Sequence, residues 1–543
     1  LACGGPVQQI NPPSIFITYT AAPLATPTNF SPPIQIQTAA PIAIGKQIGA
    51  AVPNALRAQA EAWNIPADAA LTLDLSVIQS AVPLPNLIPI QWVYVLAAPF
   101  PTVQDGVTSD EVRALWSGGR HALLMDESTL AAFTALWGAP VTGFVRSVPA
   151  DQLLDSAWAD AAWAIIPFEN LSPRWKVLTI DGQSPIQKGF DPSRYPLIVS
   201  FTLQSSTPLQ PSDFNLDSAN YDSAKLTTVV ITGTTALVRA TAFKMEQKGI
   251  TYPGEEVRDI LREADIAHMS NEVSFFTGCP APDPNSGRLI FCSDPKYIDL
   301  LTDIGVDVVE LTGNHFSDYG NYAMAETLSI YGTHNIAHFG GGSDLQDALK
   351  PALFDVHGNR IAFLGCNVPD VGKPDIATAD HPGSAPCDFD YFAAKVGELK
   401  AQGYLVIFAF QWGEDYVPQP DATQVEGFRR MVDAGATVVS GSQAHFPKTM
   451  EFYHDSFIHY GLGNLFFDQM GNFDWMPDGI RREFLDRYVL YGGKLISVEL
   501  FTTLLEDFAR PRLMTPDERS AFLQEYFADS GWAVTNAAGT SGP

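Results

Sequence analysis

Residues 306–318 read VDVVELTGNHFSD. The run from Val306 to Thr312 is rich in β-branched and aliphatic residues and predicts a buried strand, which gives way at once to Gly313-Asn314-His315 and, a turn later, Asp318. The same shape recurs on either side. YLVIFAF (404–410) runs into Gln411-Trp412-Gly413-Glu414, and TVVSG (437–441) into Ser442-Gln443-Ala444-His445. FIHYG (457–461) leads to Leu462-Gly463-Asn464, and ADIAHMS (264–270) to Asn271-Glu272. Two further strands, LTTVVIT (226–232) and RIAFLG (360–365), complete the set, the first ending at Gly233-Thr234. Helices are predicted between them over 253–263, 295–304, 321–331, 390–402 and 422–435. Strands alternating with helices describe a layered α/β sheet. In such sheets functional residues gather in the loops leaving the carboxyl ends of strands. Five polar clusters, each at a separate strand end, therefore predict one shared site.

This domain spans 226–535, with a small-residue tail at 536–543. Thr515-Pro516-Asp517-Glu518 combines a cap, Pro at the first helical position and Glu at the third, starting a helix to about Ala528. Upstream, the polar stretch 206–225 reads as a linker. Before it, 43–205 is a compact α/β segment in which Thr108-Ser-Asp-Glu111 is a capping box and Trp163–Gly182 reads as strand, turn, strand. No internal repeat is evident.

Composition narrows the functional classes. Lys plus Arg number 32 and Asp plus Glu 60, so the net charge of −28 excludes a nucleic-acid binder and an electrostatic membrane-surface protein. A 46% hydrophobic content excludes disorder, and 543 residues predict two or three domains. Low charge (17%) with 41 Pro and 42 Gly suits an extracellular protein with many ordered loops. The most apolar stretch, Leu84–Phe100, is interrupted by Pro85, Pro89 and Pro99 and reads as buried strand rather than a membrane span.

The opening Leu1-Ala2-Cys3-Gly4-Gly5 resembles the end of a bacterial lipoprotein signal, with Cys3 as the lipidated residue and the Pro/Thr/Gln/Ala-rich stretch to residue 42 as a tether. An incidental start is the alternative. The expected location is extracytoplasmic, at the cell surface, with membrane contact only through that lipid. The other cysteines are Cys279, Cys292, Cys366 and Cys387. None lies in a C-x-x-C knuckle, so disulfides are preferred to zinc, and nearest-neighbour pairing (279 with 292, 366 with 387) is expected among the three connectivities.

Two resemblances follow from these motifs. Residues 226–500 resemble the capsule-synthesis CapA family, associated with poly-γ-glutamate capsules and a calcineurin-like metallophosphoesterase fold. The matching residues are Leu311-Thr-Gly-Asn-His315 with Asp318-Tyr-Gly320, Phe339-Gly-Gly-Gly342, Trp412-Gly-Glu414, and the run from Gly441-Ser-Gln-Ala-His445 through His459-Tyr-Gly-Leu-Gly-Asn-Leu-Phe-Phe-Asp468. Residues 43–205 resemble one lobe of a phosphate-binding-like solute-binding protein through TSDEVRALWSG, VPAD, WAIIPFE and a D-G-x-S-P turn. The expected architecture is thus an N-terminal solute-binding-like α/β domain followed by a layered αββα metallophosphoesterase-like domain.

The first resemblance implies roles. Asn314 would be a metal ligand, His315 the acid that protonates a leaving oxygen, and Asp318 the carboxylate that orients it, with Glu272 and His445 at further ligand positions. Thr234 stands where the family has Asp, while Gln411 and Gln443 stand where it has His. With Glu414 and Asn464 these line the expected cleft. A hydroxyl and two amides are weak ligands for Zn²⁺ or Mn²⁺, which leaves one hard divalent ion, or none, as the expected cofactor. The function implied is synthesis or processing of capsule or another extracellular polymer. The expected partner is such a polymer or a small anionic ligand, with self-association open. The alternative is a non-catalytic binding or self-assembling protein that reuses the fold.

Overall fold

In the computed structural model, which describes residues 45–64, 69–75, 87–119, 121–206, 217–368, 376–471, 477 and 479–534, alternate residues of strand Leu405–Gln411 enter different cores. Ile407 and Ala409 pack with Val229, Ile231 and Val308, whereas Phe408 and Phe410 pack with Phe392, Phe428 and Met431. Burial on both faces explains why this strand is apolar throughout instead of alternating. Each fully buried Phe of this kind contributes about 1.5–3 kcal/mol.

The first core lies between two sheets. One orders Ala337–Phe339, Val308–Glu310, Ile266–Asn271, Leu226–Ile231, Arg482–Tyr491, Lys494–Glu506 and Arg510–Leu513, with the first four parallel. The other orders Ala352–Val356, Asn359–Asn367, Leu405–Gln411, Val438–Ser442, Ser456–His459 and Met450–Tyr453. Helices Arg239–Lys248, Ile298–Ile304 and Gly320–Thr333 cover the outer face of the first sheet. Helices Phe389–Ala401 and Ala422–Ala434 cover that of the second. The layering is αββα.

Several elements differ from the sequence reading, which placed no helix over Arg239–Lys248 and no strand over Ala337–Phe339, Ala352–Val356, Met450–Tyr453 or Arg510–Leu513. The helix expected over 253–263 is a 3₁₀ turn, Tyr252–Gly254, followed by the short helix Arg258–Glu263. Gly254 is where the backbone presses on helix Ile298–Ile304: an added Cβ would lie 2.5 Å from Ile304 Cγ2. The hairpin Arg482–Tyr491/Lys494–Glu506 was not expected at all. Its turn is Gly492-Gly493, with φ of 57° and 76°, the left-handed pair that a two-residue hairpin turn of this class requires.

The N-terminal region builds its own mixed sheet around strand Leu87–Pro99, flanked by Ile198–Ser205 and Trp163–Pro167. Both predicted capping boxes, Thr108/Glu111 and Thr515/Glu518, form. Phe100, just past the end of the long strand, inserts among Phe452, Phe457, Phe527 and Trp532 of the C-terminal region, with ring centroids 5.0–5.8 Å away. The segment leading into the second region is also held, since the Asn220 amide donates to Val93 O at 2.8 Å and Tyr221 stacks on Tyr491. The described residues accordingly cluster into one compact unit. Cys3 and its tether, residues 207–216 of the stretch read as a linker, and the tail lie outside the described residues. Cys279 is bonded to Cys292 and Cys366 to Cys387, with Cα separations of 5.7 and 5.0 Å.

Candidate functional site

The Gly-Asn-His loop exists because Gly313 has no side chain. A Cβ there would stand 2.4 Å from Glu272 Cα, so only glycine lets this loop close against the end of strand Ile266–Asn271. Val273 and His315 then pair as a parallel bridge. His315 Nδ1 lies 2.7 Å from Asp318 Oδ2, and the same oxygen accepts the Phe291 N–H at 2.7 Å. The carboxylate is thereby fixed from two sides. With Nδ1 engaged, Nε2 is the nitrogen left to exchange a proton with a ligand. Burial works against protonation of His315, but the hydrogen bond to Asp318 and the charges of Glu272 and Asp318 outweigh it and raise the imidazole pKa.

Glu272 is 1% exposed, and neither carboxylate oxygen has a hydrogen-bond partner. Burial pushes its pKa up against the attraction of His445 and His315, and Glu414 adds repulsion. Those interactions place His445, His315 and Glu414 within electrostatic reach of Glu272. The amides form a chain of their own. Gln411 Nε2 donates to Asn314 Oδ1 at 3.3 Å and also to Gln443 Oε1. Ser442 donates to Gln411 Oε1 at 3.1 Å, and Thr234 Oγ1 accepts the Gln443 N–H at 3.2 Å. On the far side His445 Nδ1 lies 2.7 Å from Asn464 Oδ1, and Asn464 donates to Gln469 at 3.0 Å. Gln469 donates to Tyr416, whose hydroxyl donates to Glu414. Every residue expected at the cleft is thus joined to it by contact, hydrogen bond or charge.

Sequence reading missed Arg239, Asp468, Phe291 and Phe467. The Arg239 guanidinium grips the Asp468 carboxylate with two hydrogen bonds, the Nε contact at 3.0 Å, and lies over the Phe291 and Phe467 rings at 4.8 and 5.7 Å. Phe291 packs on His315 with centroids 4.4 Å apart, and Phe467 on His445 at 4.6 Å. One cation and two rings therefore bridge the two histidines. Asp468 closes the quoted run 459–468 and could have been singled out, whereas a lone Arg after an apolar TALV carries no signal. Arg239, Gln443 and His445 also hold left-handed backbone angles, with φ of 44°, 76° and 51°. Such residues cost of order 1–3 kcal/mol each and concentrate at functional sites.

Among the described residues no group of three or more His, Cys, Asp or Glu side chains is placed to hold a metal ion. Gln411 spends its amide on Asn314, Gln443 and Ser442, and Thr234 Oγ1 accepts the Gln443 backbone N–H. What the arrangement offers is a proton-exchanging imidazole, a buried carboxylate of raised pKa, and a guanidinium within one aromatic-walled cleft.

Residues 228–469 match the model of the family described as bacterial capsule synthesis protein PGA_cap. The chain is 31% identical over 228 residues to the PGA biosynthesis protein CapA of Bacillus subtilis, covering 41% of this chain and 59% of that protein. It is 28% identical over 218 residues to a probable polyglutamine synthesis accessory protein of Mycobacterium tuberculosis, covering 38% and 57%. The match thus spans less than two thirds of either relative. Among solved structures, a 5′-nucleotidase precursor from Thermus thermophilus is 17% identical with a TM-score of 0.34, covering 56% of this chain and 58% of that one. Residues 228–469, which carry the whole cleft, are thus similar to the bacterial capsule synthesis PGA_cap family.

Proposed function

We propose that this protein acts in the synthesis or processing of a capsule-type extracellular polymer, with a cleft that engages an anionic polymer segment and lacks a working two-ion centre. The likeness of residues 228–469 to the capsule synthesis family, and of the chain to a PGA biosynthesis protein, supports the polymer. The observation that carries the second half is the amide chain Asn314–Gln411–Gln443, whose members bond to each other at positions where the family places metal ligands. Arg239, held by Asp468 over the Phe291 and Phe467 rings, is the guanidinium an anionic segment would meet, beside the imidazole of His315. At most one weakly held divalent ion is expected, with Glu272, Asn314 and His445 as the residues that would hold it. Surface attachment through a lipidated Cys3 completes the reading and would keep the cleft beside the polymer.

The test pairs metal content with turnover. The purified protein should carry less than one ion per chain and hydrolyse a generic phosphomonoester slowly or not at all. Two tightly held ions with fast, His315-dependent turnover would overturn it. Mass spectrometry of the native N-terminus should find a diacylglyceryl Cys3, and a mature chain beginning elsewhere would remove the anchor. A second reading, a non-catalytic binding protein, is favoured by Glu272, whose unpartnered carboxylate is sealed at 1% exposure. A polymer that binds the cleft and is released unchanged would select it.

A further inference from the structure

Strand Trp175–Val177 of the N-terminal region meets strand Lys494–Glu506 and helix Pro516–Asp529 of the C-terminal region around a cavity of about 300 Å³. It shares no lining residue with the cleft around His315. Its charged lining has one cation in excess: Lys176, Arg487 and Arg519 against Asp105 and Glu499.

Most of these groups are committed. Lys176 Nζ lies 2.7 Å from Asp105 and donates to Thr102 O and Val103 O at 2.7 and 3.2 Å, which uses its three protons. Arg519 Nε and Nη2 bind Asp105 at 3.1 and 2.8 Å, and Arg487 pairs with Glu499 at 2.6 Å. Two polar atoms are not committed. Arg519 Nη1 and Thr502 Oγ1 are buried without a partner, and Thr502 as a residue is 2% exposed. Buried donors left unpaired are costly, so their persistence in two residues that line one cavity calls for an acceptor. Burial also pushes the Lys176 ammonium down to about 8 and Glu499 up, which an added anion would reverse for the lysine. The remaining wall is apolar, with Leu500, Leu523 and Phe527.

We propose that this cavity binds a small monocarboxylate with a short aliphatic body, the carboxylate accepting from Arg519 Nη1 and Thr502 Oγ1 and the body lying on Leu500, Leu523 and Phe527. A net charge of +1 and one free guanidinium nitrogen match a monoanion; a phosphate dianion would need more donors. The volume is at the small end of ligand pockets, which begin at about 300 Å³. Because Lys176 and Asp105 come from one region and Thr502 and Arg519 from the other, occupancy would tighten the seam between them.

The full chain is titrated with hexanoate by calorimetry and thermal shift, with hexanol and inorganic phosphate as comparisons. Hexanoate should bind one per chain with Kd on the order of 1 mM and raise Tm, while hexanol and phosphate at equal concentration should not. Thr502→Val keeps the side chain's shape and the Asp105 pairs, so it should leave the unliganded Tm nearly unchanged and weaken hexanoate about fivefold or more, the loss of one hydrogen bond. Arg519→Gln should weaken it further and also lower Tm by breaking the Asp105 pair. Absence of heat and shift with hexanoate, an equal response to phosphate or hexanol, or unchanged affinity in Thr502→Val would each overturn the proposal.

Discussion

Restoring Thr234→Asp, Gln411→His and Gln443→His in one chain tests whether the missing donors are what separates this cleft from a metal centre. The three positions are 1%, 2% and 1% exposed, so the new side chains have no route to solvent. Without metal the variant loses the Gln411–Asn314, Gln411–Gln443 and Ser442–Gln411 hydrogen bonds and gains a buried carboxylate. At about 1 kcal/mol per bond plus a few kcal/mol for the uncompensated charge, metal-free stability should fall by on the order of 5 kcal/mol. A melting entropy of about 2.1 cal/mol/K per residue over roughly 500 residues is about 1 kcal/mol per degree, so Tm should drop by about 5 °C. Manganese or zinc at a hundredfold excess over Kd would return about 2.7 kcal/mol, or about 3 °C. Calorimetry with chelator and with metal, alongside elemental analysis, reads both numbers. The wild type should shift by less than about 1 °C in the same comparison. A triple variant as indifferent to metal as the wild type would show that the cleft lacks the geometry these positions imply. A wild type that already gains several degrees would show that the amides are competent ligands.

Three other perturbations follow from particular contacts. Asp486 is wholly buried, 2.6 Å from His459 Nδ1 and 3.0 Å from the Tyr488 hydroxyl. Asp486→Ala should cost about 3–5 kcal/mol in denaturant unfolding, and pairing it with His459→Phe should recover part of that, because the penalty comes from the stranded partner. Reducing Cys366–Cys387, which closes 21 residues, through the double Ser variant should cost on the order of 3 kcal/mol by the same assay. Asp507 is opposed by burial, but Lys244, Lys248 and the Tyr252 hydroxyl hold its carboxyl down to about 2 from an ordinary 3.8. A depressed folded-state pKa gives stability that is complete above 3.8 and lost as pH falls toward 2, so Asp507→Asn should flatten the decline of Tm across that window.

The parts of this molecule that were legible are those in which local chemistry and tertiary position agree. Strands such as Leu405–Gln411 are apolar on both faces because they lie between a sheet and a helix layer, and this one ends polar at Gln411, whose buried amide bonds Asn314, Gln443 and Ser442. The two capping boxes and both disulfides were legible for a similar reason, since the partners lie close in the chain. The strand Arg482–Tyr491 fails that condition. Its sequence REFLDRYVLY carries Glu483, Asp486 and Arg487, all buried, which erases the apolar signature of an interior strand. Each is matched by a residue elsewhere: Thr503 for Glu483, His459 for Asp486 and Glu499 for Arg487. Arg239 was illegible on the same grounds, because its meaning depends on Asp468, Phe291 and Phe467. A buried charge declares itself only with its partner, and here the partners are set by sheet pairing and by the seam between regions. The residues sequence could not interpret are therefore those that join distant segments, and both the cleft's guanidinium and the cavity around Lys176 are built from them.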